Sequence, residues 1–245
     1  MWICYTIAVM SNGVDRRKFL RAAAVCGSAP FVCAGSLAPE APIHTVQRGD
    51  TLTAIGRRHG LSVRQLKLWN GLSSDLILIG QKLLLKPTYK NLPLATITRP
   101  KVDIRKWRHL IIHHSATPNG SARIFDGFHR QKGMENGLAY HFVIGNGTNS
   151  PDGAVEVGNR WTSQLNGGHV SSETFNANSI GICLVGNFER QNPTRRQVAS
   201  LVELADYLKN RMLHERPKFM LHRELEQTLC PGRNFPAKHL HQLFG

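Results

Sequence analysis

Four short apolar runs constrain the fold of this 245-residue chain more than any other feature: LIIHH at 110–114, LAYHFVIG at 138–145, SIGICLV at 179–185 and FML at 219–221. Each is too short for a buried helix and is rich in branched or aromatic residues, so each is expected as a strand. The segments between them carry a different period. Ile124, Phe125, Phe128 and His129 fall on a helical stripe within 121–132. Pro193-Thr194 opens a longer helix whose apolar positions, Val198, Leu201, Val202, Ala205, Leu208 and Met212, recur at three and four. Asp152-Gly153 marks a hairpin-like turn before Val155-Glu156-Val157. Strands alternating with helices predict the α/β class, a central mixed β-sheet flanked by helices. With 41% hydrophobic and 19% charged residues, the chain has enough apolar surface to bury such a core.

The first run ends in a histidine pair, His113-His114. Successive side chains on a strand face opposite ways, so the two imidazoles cannot share one role. The run alone does not say which of them enters a site. A second chemically suggestive stretch is LHRELEQTLCPG, where His222 lies just off a strand and Cys230 precedes Pro231-Gly232. Neutral imidazole and thiolate are good zinc ligands, and a catalytic zinc takes three protein ligands and leaves one position open. Two ligands on one loop plus one from a distant strand is a common construction. In a chain with twelve histidines this spacing is weak evidence by itself.

Residues 43–87 form a separate unit. It opens on alternating residues, turns at Gly49-Asp50, runs through apolar positions at helical spacing and closes on Leu83-Leu84-Leu85, which predicts a small βααβ domain. Gly49-Asp50-Thr51-Leu52, Ile55, Leu66, Trp69-Asn70 and Gly80-Gln81-Lys82-Leu83 resemble a LysM module over the whole segment. That resemblance implies binding to glycans containing N-acetylglucosamine, peptidoglycan above all. Residues 88–104, with Pro93 and Pro100 and no clear period, are expected as a linker.

The amino terminus carries Arg16-Arg17-Lys18-Phe19-Leu20 before an Ala-rich, weakly apolar stretch, which resembles a twin-arginine export signal over residues 1–34. Its expected partner is the export machinery, and its destination the periplasm or cell wall. The apolar stretch is broken by Gly27 and Pro30, so no stable membrane insertion is expected once the signal is removed. Of five cysteines only Cys183 and Cys230 lie beyond it, and a chain of this size does not need a disulfide between them. The formal charge of +15 points to an acidic partner, and most of it lies outside the signal. The basic residues are scattered, which argues against a nucleic-acid arm.

Residues 107–235 resemble the type 2 N-acetylmuramoyl-L-alanine amidases, the family that includes the peptidoglycan recognition proteins. The matching stretches are Ile112-His113-His114-Ser115-Ala116-Thr117, Ala139-Tyr140-His141-Phe142-Val143-Ile144, Asp152-Gly153, Gly168-His169, Asn178-Ser179-Ile180-Gly181-Ile182, Val185-Gly186-Asn187-Phe188, His222-Arg223-Glu224 and Cys230-Pro231-Gly232. The resemblance implies that residues 105–245 are a zinc amidase domain with His113, His222 and Cys230 as metal ligands. It implies Tyr140 and Thr228 as catalytic groups and His169 as a substrate contact, with His114 facing away. Relatives carry Lys or Thr at position 228, and a hydroxyl cannot supply the charge of a lysine. Glu156 reads either as a base or as a solvated hairpin carboxylate, and Cys183 as a small buried hydrophobe. The implied activity is zinc-dependent hydrolysis of the amide between N-acetylmuramic acid and L-alanine in peptidoglycan. The alternatives are a noncatalytic peptidoglycan sensor and an amidase that recycles anhydro-muropeptides.

Overall fold

In the computed structural model, residues 42–214 and 217–245 are described; the expected export signal lies outside them. The small module is a two-stranded antiparallel sheet, β1 (Ile43–Thr45) and β2 (Lys82–Leu84), with Ile43 opposite Leu84, enclosing helices α1 (Leu52–His59) and α2 (Val63–Asn70). The helix ends are set locally. The Thr51 hydroxyl caps α1 by accepting from the Ala54 N–H, and Ser62 and Gln65 cap α2 reciprocally. Gly60 and Gly71 end the two helices at φ of 67° and 62°, a conformation glycine adopts without steric penalty. The core is Val46, Leu52, Ile55, Leu66 and Leu83. Asn70 ties helix to strand: its amide donates to the Leu66 and Leu84 carbonyls and its oxygen accepts from the Leu84 N–H.

Residues 88–104 do join the two units, but the linker expectation needs correcting, because this segment is packed. Leu92 and Ile97, the latter in the short helix α3 (Leu94–Ile97), are buried in the main core. The Tyr89 hydroxyl donates to Asp206 at 2.6 Å, and the Trp161 indole donates to the Ile97 carbonyl at 2.9 Å. These groups carry no periodicity in the sequence, and their partners lie far along the chain.

The main unit has the expected architecture, a five-stranded mixed sheet in the order β5-β4-β6-β3-β7. Its strands are β3 (His109–His114), β4 (Phe142–Ile144), β5 (Val155–Val157), β6 (Ser179–Leu184) and β7 (Lys218–Leu221). All neighbours are parallel except the β4–β5 pair. The central strands β3 and β6 are buried almost throughout, which is why they read as continuous apolar runs. The run 138–145 yields a shorter strand than expected, since residues 138–141 lie outside the ladder. Around the sheet are α4 (Ala122–Gln131), α5 (Asn159–Thr162), α6 (Glu173–Asn178), α7 (Arg195–Asp206) and α8 (Ala237–Phe244). The periodic stretch after Pro193 continues past α7 as a wider π-helical segment, Tyr207–Met212. Among the described residues no helix is long and apolar enough to cross a membrane.

Candidate metal centre

Parallel pairing sets the site. Ile112 of β3 stands opposite Leu221 of β7, so the next residues, His113, still paired with β6, and His222, just past the end of β7, lie side by side. Their ring centroids are 4.5 Å apart. The loop after β7 then folds back: the Arg223 N–H donates to the Cys230 carbonyl at 2.9 Å, returning Cys230 to the strand end. One ligand atom each from His113, His222 and Cys230 lies within 4.8 Å of the others.

Hydrogen bonds decide which nitrogen faces this point. The Nδ1 of His113 is 3.8 Å from the Cys230 sulfur, while its Nε2 is 3.0 Å from Nδ1 of His169. The Nε2 of His222 is 2.9 Å from a Glu226 oxygen. The His114 ring has a different partner: its Nδ1 accepts from the Phe188 N–H at 3.1 Å, although its backbone N–H donates to the Cys230 sulfur at 3.3 Å.

The electrostatics suit a divalent cation. Burial holds the His113 imidazole well below its ordinary pKa, with His169, His222 and His114 adding to the effect. Burial likewise holds His169 near 3, against an opposing backbone contact from Ser179. Both rings are therefore neutral, the form that ligates. Burial pushes the Cys230 thiol up to about 12, against the His114 N–H bond. A metal ion would reverse that preference by its own charge. Two imidazoles and a sulfur meeting at one point fit zinc by donor chemistry.

The remaining expected residues fall into distinct places. Tyr140 is half-buried with its ring 5.3 Å from that of His113, and burial, then Cys183 and Cys230, raise its phenol well above the ordinary value. The Thr228 hydroxyl accepts from the Cys230 N–H at 3.2 Å, so it shapes the ligand loop. His169, expected to touch substrate, is buried beside His113 and near Ser179, its ring filling space left by Gly167 and Gly181. Glu156 accepts from the Ala122 N–H at 2.8 Å and so holds the start of α4. Cys183 is fully buried, and both Cys183 and Cys230 are free thiols.

Glu226 was missed by the sequence reading. Burial raises its carboxyl, but bonds from the Ser171 side chain and from His222, with the Ser171 N–H, outweigh this and hold it near 2. Its signal was the four-residue spacing from His222.

A mixed sheet whose parallel strands deliver a His-His-Cys cluster, preceded by a small βααβ module, defines an α/β protein with a three-donor metal-type site. Residues 103–233 match the model of the family described as N-acetylmuramoyl-L-alanine amidase, and residues 44–86 that of the LysM domain. The chain belongs to the N-acetylmuramoyl-L-alanine amidase family. Among curated proteins, the autolysin of Enterococcus faecalis is 54% identical over 43 residues, 18% of this chain and 6% of that protein. The cell wall-binding protein YocH of Bacillus subtilis is 51% identical over 39 residues, 16% of this chain and 14% of that protein. The chain thus spans only a small part of these relatives. The solved structure of the N-acetylmuramoyl-L-alanine amidase LysC from Clostridium intestinale is 30% identical, covering 55% of this chain and 83% of that chain with a TM-score of 0.48.

Proposed function

We propose that this protein is an exported, zinc-dependent peptidoglycan hydrolase that cleaves the amide between N-acetylmuramic acid and the L-alanine of the stem peptide. The observation that carries this reading is the convergence of one ligand atom each from His113, His222 and Cys230. Residues 105–245 are the hydrolytic domain, residues 43–87 hold glycan strands, and residues 1–34 direct export. When bound, zinc supplies Lewis acidity, polarising the scissile carbonyl and acidifying water.

The chain's own groups do the rest. His113 and His222 present Nδ1 while their Nε2 atoms are engaged behind the site. Glu226, anchored by Ser171, fixes the His222 ring. Tyr140 keeps its proton, so its phenol serves as a hydrogen-bond donor to the oxygen that gains charge as water adds to the carbonyl. The Thr228 oxygen accepts from the Cys230 N–H, and its O–H remains to donate. Cleavage adds one water, leaving a lactyl carboxylate and a free alanine amine. Attachment through the small module raises local substrate concentration, and the net positive charge favours an anionic envelope.

The test is release of peptides with a new N-terminal alanine from purified peptidoglycan by the full chain, with chelator and with zinc restored. Release that stops and returns supports the hydrolase. Co-sedimentation with peptidoglycan without release under any metal condition would instead establish a sensor. Release confined to soluble anhydro-muropeptides would establish a recycling enzyme.

A further inference from the structure

Behind the metal centre runs a line of buried hydrogen bonds with a fixed end. The Ser179 hydroxyl donates to the Phe175 carbonyl. A carbonyl can only accept, so the one proton of that hydroxyl is committed. Its oxygen lies 3.4 Å from Nε2 of His169 and is left as an acceptor. The His169 ring is buried in contact with two further imidazoles, His113 and His141, a setting that holds one ring proton, which must then sit on Nε2. The bare Nδ1 of His169 accepts at 3.0 Å from Nε2 of His113, so His113 in turn carries its proton on Nε2. What remains is a lone pair on Nδ1 of His113, on the side facing Cys230.

We infer that the Phe175 carbonyl, acting through Ser179 and His169, dictates the tautomer of His113 and so makes Nδ1 its ligand atom. Ser179 and His169 are positioning residues, and the chain makes His113 ready for metal before any metal arrives. The fold reserves room for this line: a Cβ at Gly181 would come within 2.4 Å of the His169 ring, and one at Gly167 within 2.5 Å. The Asn176 amide oxygen accepts from the His169 N–H at 3.0 Å and holds the backbone of this residue. A ring that served only as packing would need the room the two glycines leave, but not acceptors in this order.

The inference rests on reading His113 as a metal ligand, but its first test does not require metal. In the metal-free full chain, imidazole nitrogen NMR should show both His113 and His169 as the Nε2-protonated tautomer. A proton on Nδ1 of either ring overturns the inference, even if the chain binds zinc and cleaves peptidoglycan. The second test measures zinc affinity by competition with a chromogenic chelator. His169→Leu removes the acceptor and should weaken zinc binding roughly ten- to a hundredfold. His169→Gln, whose carbonyl oxygen can accept from His113, should recover part of that loss. Unchanged zinc affinity in His169→Leu would overturn the inference. So would equal losses in both variants. Wild-type protein that shows the expected tautomers but binds no zinc would overturn the proposed function and leave the proton order standing.

Discussion

In the small module, the side chains that cap and tie the helices have partners close by in sequence. Thr51 caps through Ala54, Ser62 through Gln65, and even the Asn70 tie reaches only to Leu84. In the main unit the decisive contacts join distant residues, His113 with His169 and with Cys230, and Trp161 with Ile97. The module buries a small apolar core, whereas the main unit buries polar rings as well. A buried polar ring must be satisfied and correctly protonated. The module is therefore an assembly of local signals that tolerates change piecemeal, and the main unit concentrates its risk around a few imidazoles.

The most severe way to break this contrast is at the ligands. Cys230→Ala should lower peptide release by roughly a thousandfold, since it removes one of three metal donors. Co-sedimentation with peptidoglycan should persist, because residues 43–87 are untouched. Loss of sedimentation together with activity would show that the two units do not divide binding and cleavage.

Acid should separate the units next. His141 is buried and neutral, its Nδ1 accepting from the Gly181 N–H and its Nε2–H donating to the Leu165 carbonyl; burial, then His169, depress its pKa well below the ordinary value. For a base with a depressed folded pKa, the unfolded chain binds the proton first. This contribution to stability is therefore complete above about pH 6.5 and is lost as pH falls below it. In the module the perturbed group is Asp50, lowered first by the Gln47 N–H and then by His44. Its contribution is present above about pH 4 and is lost only as pH falls further. Hydrogen exchange followed from pH 7 to pH 4 should show β6 losing protection before β1 and β2. The reverse order would mean that the buried imidazoles do not govern acid stability.

The same difference in range explains what could be read from the sequence. Strands β3, β6 and β7 were legible because buried parallel strands are apolar throughout, and the module was legible because its caps and turns are local. The strand expected at 219–221 placed His222 at its end, but the four-residue pairing of His222 with Glu226 went unread. His169 shows the limit most clearly. Its sequence neighbours give no hint that its ring meets His113, a residue 56 positions away. Leu92 and Ile97 were read as linker for a similar reason, since their burial depends on a core assembled from remote segments.

Helix α2 offers a sharper comparison, because it faces both regions. Leu66 belongs to the module's own core, while Leu68, two residues on, is buried in the main one, and Arg64 donates to the Leu243 carbonyl near the carboxy terminus. Leu68→Ala and Leu66→Ala should each cost about 2–3 kcal/mol by denaturant unfolding. Their signatures should differ. Leu66→Ala should expose amides of β1 and β2 to exchange while leaving the main sheet protected. Leu68→Ala should lower the protection of α8 as well. Identical exchange patterns would remove the distinction between the two cores.

The smallest effect tests whether the module's local signals act independently. Ser62→Ala removes the hydroxyl that accepts from the Gln65 N–H and leaves an exposed helix end to water. Because this end is exposed, the loss should be about 1 kcal/mol, with hydration recovering part of the bond. Thr51→Ala, at the cap of the neighbouring helix, should cost a similar amount. If the caps act as separate local devices, the double variant should lose the sum of the two within about 0.5 kcal/mol. A double variant that loses much more would show that the two helix ends are coupled through the Val46, Leu52, Ile55, Leu66 and Leu83 core, and that the module, like the main unit, depends on contacts its local sequence does not display.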